Sequence, residues 1–151
     1  MGDLRVFGLD VAKQGFSVIQ VQMGLFVRPD LVPVIEDQPI VLYGDGEQSR
    51  DFTFVEDVAG LIWKAANAAA APGNMYNAGN GGCYSLNLVW DTLQKIEGVT
   101  LPAKYGPPRA GDVRDSMADT TLAVRDLGHA PQFTLEEGLR RTLAWYRSAL
   151  S

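Results

Sequence analysis

The chain has 151 residues, 46% of them apolar and 21% charged, a composition suited to one soluble globular domain with a real hydrophobic core. Its formal net charge of −5 argues against a general nucleic-acid binder, which needs a basic face, and no apolar run approaches the ~20 residues that span a bilayer. A single cysteine, Cys83, excludes an intramolecular disulfide or a thiolate metal cluster, and the opening residues lack a basic stretch followed by an apolar one, so a cytoplasmic setting is expected.

In chain order, "LRVFGL" at residues 4–9 predicts a short buried strand. Between Phe16 and Val27, Ile19, Val21 and Met23 alternate with Gln20 and Gln22, which favours a strand, although Gly24 interrupts it. A helix could open at Pro29, but Pro33 would then cost it a hydrogen bond. "IVLY" and "RDFTFV" are β-type runs joined by a loop containing Gly44, Asp45 and Gly46; Phe52 and Phe54 share one face of the second run, Asp51 and Thr53 the other. Helical spacing of Val58, Leu61, Ile62, Ala65 and Ala69 predicts a helix from Glu56 to Ala71, with Glu56 and Asp57 at its positive end and Pro72-Gly73-Asn74 as its stop.

"MYNAG" reads as a strand and Asn80-Gly81-Gly82 as a tight turn. Ser85 is placed to cap a helix carrying Leu86, Val89, Trp90, Leu93 and Ile96, with Gly98 at its end. "VTLPAKYG" predicts a short strand, and beyond "GPPRAGD" Asp119 could cap a short helix ending at Gly128. Thr134 to Glu137, "TLEE", is a capping box opening a helix with Leu135, Leu139, Leu143 and Tyr146 on one side. Trp63, Trp90 and Trp145 all fall within these helices and are expected in the core. The expectation is one mixed α/β domain over residues 1–151, with a divergent segment 1–39 ahead of residues 40–151.

Two loops carry the candidate chemistry. In "YGDGEQSRDF", glycines at 44 and 46 permit a sharp turn, and Arg50 is either a surface residue paired with Asp51 or Glu56 or a planar fork of donors presented to a phosphate. In "GPPRAGDVR", two prolines stiffen the approach to Arg109, and Asp112 could orient that arginine or accept from a sugar hydroxyl; the alternative is a surface loop of self-paired charges. Arg109, Arg114 and Arg125 form a loose basic group, and Arg140, Arg141 and Arg147 read as a solvated helix face. His129 reads as a connecting residue, Cys83 as structural, and Asp115, Asp119 and Asp126 are too irregularly spaced to suggest a metal site.

Five segments, "LYGDGEQSRDFTFVEDVA", "MYNAGNGGCYSLN", "PPRAGDVRDSMAD", "AVRDLGHAPQFTLEEGL" and "AWYR", together resemble the C-terminal part of NAD-dependent nucleotide-sugar epimerases and dehydratases. These are extended short-chain dehydrogenases/reductases, typified by UDP-glucose 4-epimerase. The resemblance implies an α/β substrate-binding lobe of small sheets and helices, with "MYNAG" and "LRVFGL" as terminal strands of a Rossmann-type sheet. It implies that Arg50 and Arg109 grip the pyrophosphate of a nucleotide-diphospho-sugar, that Asp112 supports the ribose or Arg109, and that residues leading into Tyr43 lie beside the base.

Against the family pattern, no G-x-x-G-x-x-G and no Tyr-x-x-x-Lys occur, Gly8 stands where the family has asparagine, and residues 10–38 match poorly. No catalytic, NAD-binding or metal-binding residue is therefore expected, although the complete family uses NAD. The expectation is a partial protein, inactive alone, that retains the nucleotide-sugar site. Its rivals are a homo-oligomeric partner-binding module and half of a split epimerase completed by a separate Rossmann chain.

Overall fold

A computed structural model describes residues 18–21, 32–36 and 38–150. The strand expected at residues 4–9 and a helix start at Pro29 lie outside the described residues. The described elements fall into two compact units.

The first unit takes β1 (Val18–Val21), Asp51–Gly82 and Met117–Phe133. β1 pairs in parallel with β4 (Met75–Ala78), Ile19 opposite Tyr76. Along β4, Tyr76 and Ala78 are buried while Met75 is exposed, the period-two alternation of a strand with one covered face. That face is covered by α2 (Val55–Asn67) and α4 (Thr121–Leu127), whose Leu61, Ala65, Ala123 and Leu127 join Tyr76, Ala78 and Ala71 in one apolar core.

Several local expectations changed here. "RDFTFV" forms no strand beyond Arg50; Phe54 takes the extended position before α2, and its ring meets that of Phe133 at 4.8 Å between centroids. α2 ends at Asn67 instead of Ala71, because the chain must turn to insert Ala71 into the core. Asp57 stands in the first turn of α2 as expected, but it is buried and accepts from the N–H groups of Gln132 (2.7 Å) and Phe133 (3.3 Å). Asp51 does the same for Asn80 (2.8 Å) and Gly81 (3.3 Å). His129 is buried as a connecting residue, its Nε2 2.8 Å from the Gly79 carbonyl. Trp63, expected in the core, is 72% exposed on α2.

The second unit takes α1 (Val32–Ile35), the chain through Arg50, Cys83–Ser116 and the segment from Thr134. Pro33 is tolerated in α1 because it lies in the first turn, where its missing N–H has no helical partner to lose. α1 packs against α3 (Leu86–Glu97) and α5 (Leu135–Leu150), burying Val34, Val89, Trp90, Leu93, Leu139 and Leu143. The caps are those of the sequence: Ser85 Oγ accepts from Leu88 N, Gly98 ends α3 in the left-handed region, and Thr134 Oγ1 accepts from Glu137 N. Trp145, however, is 62% exposed on α5, so only one of the three tryptophans, Trp90, is in a core.

The sheets of this unit place the site. β2 (Val41–Tyr43) pairs in parallel with β6 (Lys104–Gly106), with Leu42 turned into the core and Tyr43 turned out. β3 (Ser49–Arg50) lies between β5 (Tyr84–Ser85), antiparallel, and β7 (Asp115–Ser116), parallel. β2 and β3 are thus not a hairpin; each finds its partners more than thirty residues away, and the loop between them is held open.

Candidate functional site

The loop after β2 is fixed by close contacts. Gly46 has φ +74°, and a Cβ there would lie 2.1 Å from Asn87 Oδ1, so no other residue fits without moving Asn87. Asn87 Nδ2 in turn donates to the Asp45 carbonyl (3.0 Å) and Glu47 Oε1 (2.5 Å), and Tyr105 Oη donates to Asn87 Oδ1 (3.0 Å). Gln48 is buried, its Nε2 donating to the Tyr43 carbonyl at 2.7 Å. The chain leaving β6 stays beside this loop: the Gly44 N–H donates to the Gly106 carbonyl at 3.0 Å, and Pro108 lines the same hollow as Gly44.

Between the two lies a cleft of about 380 Å³, walled by Tyr43, Asp45 and Gln48 on one side and by Arg109, Asp112 and Arg114 on the other. The Arg109 guanidinium carbon sits 4.1 Å above the centre of the Tyr43 ring, a cation–π contact. Arg50 reaches the site from β3: its Nη2 donates to Asp112 Oδ1 at 2.5 Å, and its Nη1 donates to the carbonyls of Ser49 (2.7 Å) and Arg114 (3.3 Å). Arg114 Nη1 lies 2.8 Å from both oxygens of Asp45. Its guanidinium, with the Glu47 N–H, holds the Asp45 carboxyl below the usual carboxylate range, and Asp45 in turn raises Arg114 further above its ordinary value.

Tyr43, Arg50, Arg109 and Asp112, read from two separate loops, are thus brought together. Their pairings differ from those expected from local sequence. The carboxylate that Arg50 meets is Asp112, 62 residues away, a contact the local sequence does not suggest. Asp112 meets Arg109 through the backbone, its N–H donating to the Arg109 carbonyl at 3.2 Å. Asp45, Gln48 and Arg114 line the site without being marked out by the motifs, although the first two lie inside the glycine-bearing stretch and Arg114 ends "GPPRAGDVR".

The remaining candidates go elsewhere. Arg125 pairs with its neighbour Asp126, which also accepts from the buried Tyr76 hydroxyl, and Asp119 accepts from the N–H of Thr121 ahead of α4. Arg140 and Arg141 pair one turn back with Glu136 and Glu137, and Arg147 with Glu97. Cys83 is exposed, its sulfur 2.9 Å from Ser49 Oγ, and Ser49 Oγ donates to Asp115 Oδ1 at 2.5 Å. Among the described residues no cluster of three His, Cys, Asp or Glu could hold a metal, and no helix is long and apolar enough to cross a membrane.

A model of the NAD dependent epimerase/dehydratase family matches residues 28–79. A UDP-glucuronate 4-epimerase of Thermodesulfobacterium geofontis is 30% identical over 149 residues, covering 93% of this chain. The chain belongs to this epimerase/dehydratase family.

Other epimerase-family proteins agree. A UDP-glucose 4-epimerase of Mycolicibacterium smegmatis is 34% identical over 107 residues. The solved UDP-glucose 4-epimerase of Thermotoga maritima, determined with UDP-glucose, superposes with a TM-score of 0.81 at 28% identity over 89% of this chain. MoeE5, solved with UDP-glucose and NAD, gives 0.81 at 29% identity. The α/β architecture of small sheets and helices is that of these epimerase folds. The chain spans less than half of their length, 44% of the Thermodesulfobacterium protein and 47% of the Thermotoga one.

Proposed function

We propose that the cleft holds a nucleotide-diphospho-sugar. In this reading Arg50 and Arg109 grip the pyrophosphate, Tyr43 lies beside the base, and Asp112 holds Arg50 in place while facing the ribose. The observation that carries it is Arg109 lying over the outward-facing Tyr43 ring within one cleft, with Arg50 just behind the wall, bonded to the cleft residue Asp112. Guanidinium forks suit phosphate oxygens, and an aromatic face suits a base. The solved relatives bound to UDP-glucose support this choice of ligand class.

The residues present do not fit the family's NAD. No G-x-x-G-x-x-G or Tyr-x-x-x-Lys occurs among the 151 residues. The glycine-rich turn after β4 directs its Asn80 and Gly81 N–H groups at Asp51, so it offers no cradle to a phosphate. These residues therefore supply binding and orientation, and no chemical step is assigned to them. The single cysteine is consistent with a cytoplasmic protein.

Titration calorimetry with UDP-, dTDP- and GDP-sugars tests the reading. Heat with one nucleotide class, lost in Arg50→Ala by about tenfold or more in affinity, is expected. No heat with any of the three removes it.

A second reading concerns partners. Among the described residues the parallel sheet of the first unit has only two strands, while parallel strands ordinarily lie in larger sheets covered on both faces. Met75 on β4 and Val55 and Trp63 on α2 are exposed. These features favour association, either with a second copy or with a Rossmann-type half supplied by another chain. Light scattering that returns the monomer mass at micromolar concentration counts against self-association.

A further inference from the structure

We propose that the Arg109 guanidinium is a built-in occupant of the base-stacking face of the cleft, so that a nucleotide binds by exchanging places with it. The inference rests on the nucleotide reading of the site and adds a competition within it.

The geometry sets two bodies against one surface. The Tyr43 ring is 38% exposed, rests against Gly106, and carries the Arg109 guanidinium 4.1 Å above its centre. A base stacked on that face beneath the guanidinium would need about 7 Å, two contact layers of about 3.5 Å each. The two are therefore mutually exclusive.

The backbone is arranged so that the side chain alone has to move. Pro107 and Pro108 stiffen the approach. Beyond Arg109, the Asp112 N–H closes a turn onto the Arg109 carbonyl at 3.2 Å, and Gly111 takes φ +80° within it. Arg109 is exposed, and a swing of its long side chain about a fixed Cα uncovers the ring. The lifted guanidinium is then available to a phosphate attached to the arriving base. A ligand with both base and phosphate gains a new partner for the cation it displaces. A ligand with the base alone gains none.

This predicts opposite effects of one substitution on two probes. In Arg109→Ala, uridine, which has no phosphate, binds about two- to fivefold tighter, because no cation has to leave an exposed ring. UDP binds about tenfold or more weaker, because a charge-assisted phosphate contact is gone. Arg109→Gln, which keeps the side chain's bulk and polarity without its charge, is expected to shift both in the same directions and guards against a collapsed loop. Uridine affinities are read by NMR titration and UDP affinities by calorimetry.

A third readout needs no variant. The Arg109 side-chain protons should resonate upfield over the Tyr43 ring and move downfield on adding uridine alone. Uridine binding that is unchanged or weakened in both variants, while wild-type protein binds UDP, overturns the exchange and leaves the nucleotide reading standing. Wild-type protein that binds neither probe overturns both.

Discussion

Gly46 and Gly44 have almost the same backbone, φ +74° and +77°, but different neighbours. An alanine at either position pays for a left-handed conformation, about 1–2 kcal/mol. At Gly44 that is nearly the whole cost, since the nearest atom to a new Cβ is Gln48 Oε1 at 3.9 Å. At Gly46 the new Cβ would sit 2.1 Å from Asn87 Oδ1 and 2.7 Å from its Cγ, so the Asn87 amide must rotate away. It then gives up its bonds to the Asp45 carbonyl, Glu47 and Tyr105. These are exposed, so their joint loss is worth about 1–2 kcal/mol at the lower end of hydrogen-bond values.

Gly44→Ala should therefore cost about 1–2 kcal/mol and Gly46→Ala about 2–4. In a chain of this length that is a further fall in Tm of roughly 2–8 °C for the second substitution. Urea denaturation gives the free energies. A double variant, Gly46→Ala with Asn87→Ala, should cost less than the sum of its singles, because the clash is gone. Equal costs at the two glycines, or strict additivity in the double variant, would refute the dovetailing of Gly46 and Asn87 as what fixes the loop.

Two further substitutions test the first unit. Tyr76→Phe should cost about 1 kcal/mol, losing the hydroxyl's bonds to the Ala70 carbonyl and Asp126 at 3.2 Å. Burial first, and then the negative charge of Asp126, pushes the Tyr76 hydroxyl above its ordinary value of 10.0 in the folded protein. Its contribution is thus fully present below pH 10.0 and is lost as pH rises toward the higher folded value, so the Tyr76→Phe variant should show a shallower alkaline loss of stability; equal slopes contradict this. Asp57→Ala should cost about 2–4 kcal/mol by stranding the Gln132 and Phe133 N–H groups, whereas Asp57→Asn, which keeps an acceptor, should cost distinctly less. Matching urea midpoints for the two would show that hydrogen bonding to this loop is not what Asp57 provides.

Both ends of α3, the end of α4 and the start of α5 were legible in the sequence because their capping is local, whereas the end of α2, set by the insertion of Ala71 into the core, was not. Ser85 with Leu88, Thr134 with Glu137, and the left-handed glycines 98 and 128 are each settled within a few residues. Strand pairing was not, because the partners of "IVLY" and of Ser49–Arg50 lie in segments 34 to 66 residues away. The alternation of Phe52 and Phe54 imitates a strand, yet the carboxylates of Asp51 and Asp57 are committed to the backbone of distant loops and draw the chain out of that path. The tryptophans misled for a related reason: helical position alone does not say which face is covered, and Trp63 and Trp145 point away from the cores that Leu61 and Leu143 enter. At the site, the residue types were readable from the two loops, while the Arg50–Asp112 and Arg109–Tyr43 pairings depend on contacts that no local pattern encodes.

The three strands that carry Arg50 are two residues long each, too short for backbone bonds alone to choose one alignment over the next. A slip of a single residue would turn Arg50 to the opposite face and away from Asp112. Ser49 removes that freedom. Its hydroxyl is bonded to the side chain of Asp115, its own cross-strand partner, and to Cys83 beside the other neighbouring strand. The aim of the arginine is thus decided one residue earlier, by a small hydroxyl acting as a register pin.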